Sequence, residues 1–201
     1  MLPSRRISLQ CPVDNAASIR ESLAERVGEL GGDLAPANDY HFTVLHIGRP
    51  NEIYGAVASV ADRRQATLDE STFLELFRNW VQVHSQTLRH ETAVKAEGLV
   101  TLGERPPLSL VYKVVGLPLE LRSLHSELLG SFARFLQVDL GAPDGAGLLR
   151  ASPVFGFSGK SWVPHVSVGT IGRWVTSPSP AETVLLGPLQ VRNAEVIGIP
   201  S

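Results

Sequence analysis

One pattern occurs twice in this chain and restricts what it can fold into: a strand, a helix, then a strand in which a histidine and a hydroxyl residue stand two positions apart among apolar neighbours. In the first copy, Ile7, Leu9 and Cys11 alternate with Ser8 and Gln10 from Arg6 to Val13, and Pro12 stops the strand. Ser18-Ile19-Arg20-Glu21 has capping-box spacing, and Ile19, Leu23, Val27, Leu30 and Leu34 recur at helical intervals until Gly31-Gly32 ends the pattern. Tyr40 to Gly48 then reads as a strand containing His41-Phe42-Thr43-Val44. In the second copy, Leu108 to Val115 is the strand, and Pro118 opens a helix striped by Leu121, Leu124, Leu128, Phe132 and Phe135. Trp162 to Gly169 closes it with His165-Val166-Ser167-Val168. Such a duplication predicts an α+β chain whose two halves are fused into one two-lobed domain.

Between and around the copies, residues 51–86 predict two helices separated by a polar break from Asp62 to Ser71. Thr92 to Leu102 predicts a strand paired with the one at Leu108. The Gly-, Ala- and Pro-rich run from Gly141 to Gly159 reads as an exposed loop, and Leu189 to Ile199 as a last strand. No linker interrupts the 201 residues. The expectation is therefore one bilobal domain over 1–201: a first half at about 1–50, a helical insertion at about 51–89 and a second half at about 90–201.

Side chains alternate along a strand, so His41 shares a face with Thr43, and His165 with Ser167, while Phe42, Val44, Val166 and Val168 take the other face. His-x-Ser/Thr occurs three times; the third, His90-Glu91-Thr92, opens its run instead of lying within one. Requiring apolar residues on both sides of the hydroxyl reduces the chance expectation to roughly 0.15 occurrences. Two are present.

Two imidazoles facing one ligand can serve as base and acid in a single turnover, because histidine titrates near neutrality. Two hydroxyls can donate to non-bridging phosphate oxygens as charge develops on them. That combination suits attack on a phosphodiester and calls for no metal. The paired motifs resemble those of the 2H phosphoesterase superfamily, close to its 2′-5′ RNA ligase-like and cyclic phosphodiesterase branches. The Trp162-Val163-Pro164-His165-Val166-Ser167-Val168-Gly169 stretch is especially similar to that family's second motif. The resemblance implies two pseudo-symmetric lobes with antiparallel sheets flanking a central cleft and helices on the outside, His41 and His165 as the acid/base pair, and Thr43 and Ser167 as phosphate-binding residues, all four facing the cleft. It implies hydrolysis of 2′,3′-cyclic phosphates or 2′-5′ linkages of nucleotides or RNA ends, without a cofactor. The helical stretch from Asn51 to Arg89 is longer than a compact lobe of that family requires. A non-catalytic module that binds nucleotides or RNA ends in the same cleft is the alternative reading.

Charge and cysteine content limit the partners. Eighteen Lys and Arg against twenty Asp and Glu leave a net charge of −2, which excludes the basic field that binding to a DNA duplex or a long RNA backbone relies on. A single cysteine, Cys11, cannot form an internal disulfide or a thiolate zinc site. No apolar run approaches the roughly 20 residues needed to span a bilayer. A cytoplasmic chain without a membrane partner is expected, its oligomeric state open.

Tyr40 and Trp162 adjoin the motifs and are candidates to stack on a base. His46, five residues beyond His41, is expected on the opposite face as a packing residue, which argues against zinc held by His41, His46 and His165. His84, His90 and His125 are expected in packing or surface roles. Arg150, Lys160 and Arg173 are expected as solvated charges, and Phe73, Leu76, Phe77 and Trp80 as core or a subunit contact.

Overall fold

The computed structural model describes residues 2, 6–61, 68–86, 91–158, 162–174 and 184–190. Strand β1 (Ile7–Pro12) buries Ile7, Leu9 and Cys11 on one face, as its alternation demands. Burial pushes the Cys11 thiol up to about 12, so it acts as a small core residue. Helix α1 (Ala16–Glu29) buries Ala16, Ile19, Leu23 and Val27; its N-cap is Asn15, not the Ser18 that the capping-box spacing suggested. Gly31, at φ +70°, turns the chain out of the helix into the short strand β2 (Gly32–Leu34), which takes Leu34 away from the helical stripe. Strand β3 (His41–Gly48) follows.

The expected helical pair is α2 (Pro50–Val60) and α3 (Glu70–Gln86), and the expected hairpin is β4 (Glu91–Leu102) with β5 (Leu108–Val115). The next helix, α4 (Leu119–Arg134), buries Leu121, Leu124, Leu128 and Phe132 and runs into a π-helical turn at Phe135–Asp139. The run from Gly141 is not the exposed loop its composition suggested. Asp144 accepts from the Gly147 N–H and caps α5 (Gly145–Ala151), and buried Leu149 and Phe155 hold the segment to the core. Strand β6 (His165–Ile171) begins three residues later than expected. The last described strand, β7 (Val184–Gln190), precedes the expected position; residues 191–199, like His90, Gly159 and Lys160, lie outside the described residues.

All pairings are antiparallel, and the class is α+β as expected. The strands connect in the order β1-β3-β6-β5-β4-β7, with β2 also on β6. The two half-sheets are joined by a seam of two residue pairs, His41↔Ser167 and Phe42↔Val166, between β3 and β6. The halves also exchange elements: β2 of the first pairs with β6 of the second, and α4 of the second packs on β3 of the first. Gly169 permits the first exchange, because a Cβ there would collide with the Asp33 carbonyl oxygen on β2.

Helix α3 buries Phe73, Phe77, Trp80 and Val81 and packs on α4. Trp80 lies 4.9 Å from Phe132 ring to ring, and its indole N–H donates to the Ser131 hydroxyl at 3.2 Å. The Phe73, Phe77 and Trp80 stripe is thus core. Among the described residues no helix is long and apolar enough to cross a membrane.

Candidate active site at the seam

His41 stands directly across from Ser167, and the same register carried one residue further sets Thr43 across from His165. A pseudo-twofold axis therefore passes between Phe42 and Val166. In such a ladder the diagonal pair, His41 and His165, is separated by roughly 7–8 Å at the backbone, close enough for two imidazoles to reach one phosphodiester. Each half supplies one histidine and one hydroxyl to the same face. His41, His165 and Ser167 are half-buried; Thr43, 5% exposed, lies at the floor.

The two imidazoles are held in the same way. His41 Nδ1 lies 2.7 Å from the Asp39 carbonyl, and His165 Nδ1 lies 2.6 Å from the Val163 carbonyl, each two residues upstream. A carbonyl oxygen can only accept, so Nδ1 carries the proton in both rings and Nε2 is the basic nitrogen. Burial holds His165 below the ordinary imidazole range; the Val163 hydrogen bond opposes this shift, and the charge of His41 adds to it.

Both motifs end in a β-bulge, which the sequence alone did not disclose. Pairing with β1 passes from Gln10↔Thr43 to Leu9↔Leu45 and skips Val44; pairing with β5 passes from Val111↔Ser167 to Leu110↔Gly169 and skips Val168. One extra residue reverses the alternation beyond it. His46 consequently falls opposite Ser8, on the same face as Gln10, Thr43 and His41, instead of on the opposite face. Its imidazole is pushed down to about 4 by burial, with the charges of His165, Arg6 and His41 adding to the effect. The geometric reason for setting aside a zinc site therefore no longer holds. Among the described residues, however, no three His, Cys, Asp or Glu side chains are grouped to hold a metal ion.

The two aromatic candidates are not on this face. Tyr40 is 1% exposed in the core, beside Tyr112, with its phenol pushed up to about 12 chiefly by burial. Trp162 packs on Phe42, ring centroids 5.8 Å apart and edge to face, and donates its indole N–H to the Thr43 carbonyl at 3.1 Å. It also stacks on His125 of α4, 4.0 Å apart and 8° from parallel, while His125 Nδ1–H donates to the Val44 carbonyl at 2.7 Å. Trp162 and His125 together satisfy the two carbonyls of the first bulge. Neither is placed to stack on a ligand at the histidine face. The alternation of β1 could have pointed to Ser8 and Gln10, since both stand opposite its apolar row; His46 gave no such signal, because a bulge leaves no mark in the spacing.

No family model matches the chain, and no curated protein matches it. Among solved structures it is similar to TT0787 of Thermus thermophilus, with a TM-score of 0.45 and 14% identity over 91% of this chain and 81% of that one. It is similar to E. coli LigT in apo form, with a TM-score of 0.44 and 12% identity over 92% and 84%. For E. coli LigT complexed with ATP the TM-score is 0.45, again with 12% identity over 92% and 84%. At these identities and TM-scores, the functional reading stands on the chain's own residues.

Proposed function

We propose that the chain is a phosphodiesterase of the 2H type, hydrolysing 2′,3′-cyclic phosphate or 2′-5′ phosphodiester bonds of nucleotides or RNA ends by paired histidine catalysis. The observation that carries this reading is the pair of imidazoles set diagonally across one seam, each with Nδ1 tied to a carbonyl and Nε2 left as the basic nitrogen. A single phosphorus between them meets a base on one side and an acid on the other. His165, held below the ordinary range, enters uncharged and takes a proton from the attacking water. The water oxygen bonds to phosphorus, the bond to the departing ribose oxygen breaks, and His41 gives that oxygen its proton. Proton exchange with solvent then restores both rings. The hydroxyls of Thr43 and Ser167 donate to the non-bridging oxygens, where negative charge accumulates. Nothing in these steps draws on a cofactor.

Turnover of 2′,3′-cyclic nucleotides and 2′-5′ dinucleotides, measured in chelator, tests the proposal. Replacing either His41 or His165 with alanine should lower kcat by at least ~10²-fold. The base assignment adds a second reading: loss of activity on the acid side of the pH–rate profile should fall below the usual imidazole midpoint and disappear in His165→Ala. Unchanged turnover in either alanine variant defeats the reading. Tight nucleotide binding with no turnover by the native chain replaces it with the binding module.

A further inference from the structure

The pseudo-symmetry of the seam is broken just beyond the quartet. Ser167 stands opposite Val111 of β5, but its equivalent, Thr43, stands opposite Gln10 of β1. Past the bulges, Thr170 stands opposite Ser109, but its equivalent, His46, stands opposite Ser8. The second half therefore offers a fully buried valine and two exposed hydroxyls. The first half instead offers an amide, an imidazole and a hydroxyl, all half-buried and continuous with His41 and Thr43. The Gln10 amide already donates to the Ser8 hydroxyl at 2.7 Å, so the two act as one unit that retains further donors and acceptors.

We propose that Ser8, Gln10 and His46 form a hydrogen-bonding subsite for the sugar and base of a nucleotide, beside the reacting phosphodiester on the first-half side. The proposal rests on the phosphodiesterase reading above and deepens it. The chemistry of the three groups selects this occupant. None of the three carries a fixed charge of its own: they are a hydroxyl, an amide and an imidazole that burial and the neighbouring His165, Arg6 and His41 keep neutral. Neutral groups that both donate and accept match ribose hydroxyls and the edge of a base. Half-burial gives such bonds discriminating power, because a ligand lacking the complementary atoms forgoes them in a site partly shielded from water.

Copying the second half onto the first tests this. In Gln10→Val/His46→Thr, the kcat/KM for a 2′,3′-cyclic nucleotide relative to that for the base-free diester bis(4-nitrophenyl) phosphate should fall at least about tenfold, with most of the change in KM for the nucleotide. An equal loss on both substrates overturns the subsite, since it points to a catalytic or structural role. Should the double variant fail to fold, Gln10→Val alone, which places a good strand former in β1, carries the same comparison. If the native chain turns over neither substrate, the phosphodiesterase reading fails while the subsite is still tested by calorimetry. Native protein should then bind a nucleoside monophosphate at least about tenfold more tightly than inorganic phosphate, with the preference lost in the variant. Equal affinities overturn the subsite.

Discussion

The two histidine strands reach the same geometry by different means. Each has the histidine, the hydroxyl two residues on, the Nδ1 hydrogen bond to the carbonyl two residues back, and a valine in the bulge. At the first bulge, the carbonyls of Thr43 and Val44 are taken by two side chains, Trp162 and His125, which stack on each other. At the second, the Val168 carbonyl is taken by the backbone N–H of Ala35, just past β2, at 2.9 Å. A bulge satisfied by backbone is insensitive to side-chain identity but needs room for the neighbouring strand. A bulge satisfied by side chains is open to single substitutions. The halves should therefore fail for different reasons.

The largest effect belongs to the second half. In Gly169→Val a side chain would have to occupy the space of the Asp33 carbonyl, so β2 would have to leave β6 and the Val168 carbonyl would lose Ala35. A loss of about 3 kcal/mol or more is expected in urea unfolding. A variant as stable as the native chain would show that β2 contributes nothing to the second motif.

Next comes acid sensitivity, in which the buried imidazoles packed around the first motif take part. His46 and His125 both lie below the ordinary imidazole value in the folded chain, chiefly through burial. A histidine with a lowered folded value binds more protons when unfolded, so its penalty is absent above about pH 6.5 and grows as the pH falls toward the folded value. For His46, at about 4, the window runs from about 6.5 down to 4, and the cost is no more than roughly 3 kcal/mol. Stability measured from pH 7 to 4 should fall less steeply in His46→Gln. An unchanged slope would mean that His46 protonates without penalty and is not buried as described.

Trp162→Phe probes the side-chain lock with a smaller change. It keeps a ring against Phe42 and His125 but leaves the Thr43 carbonyl without its indole donor. A stability loss of ~1 kcal/mol is expected. Displacement of Thr43 and His41 should lower kcat more than it raises KM, the opposite of what the loss of a base-stacking surface would do. A rise in KM alone would return Trp162 to the ligand.

What could be read in the sequence follows from the range of the forces involved. Alternation along a strand is local, so the shared faces of His41 with Thr43 and of His165 with Ser167 were legible. So was the stripe of α4, because helical periodicity needs only its own residues. His46 was misplaced because a bulge depends on which partner strand accepts the extra residue, and that partner, β1, is set by tertiary pairing. The exchange of β2 onto β6 and the capture of Trp162 by the Thr43 carbonyl were illegible for the same reason: each joins residues more than a hundred positions apart. Helix α5 escaped notice because its Gly-rich composition outweighed a single capping carboxylate, Asp144.

The smallest effect concerns the residue before each histidine, Tyr40 in one half and Pro164 in the other. The Tyr40 hydroxyl is buried, and among the described residues it has no hydrogen-bond partner. A buried hydroxyl without a partner carries its desolvation cost uncompensated, so removing it costs nothing and restores part of that loss. Tyr40→Phe should therefore match or exceed the native chain in thermal stability, by up to ~1 kcal/mol, with kcat and KM for a cyclic nucleotide both unchanged. The ring itself would remain in the core beside the first histidine, whereas Pro164 before the second is half-buried. A rise in KM in this variant would place the phenol at the ligand and reverse the contrast, making the first half the one whose leading residue reaches the site.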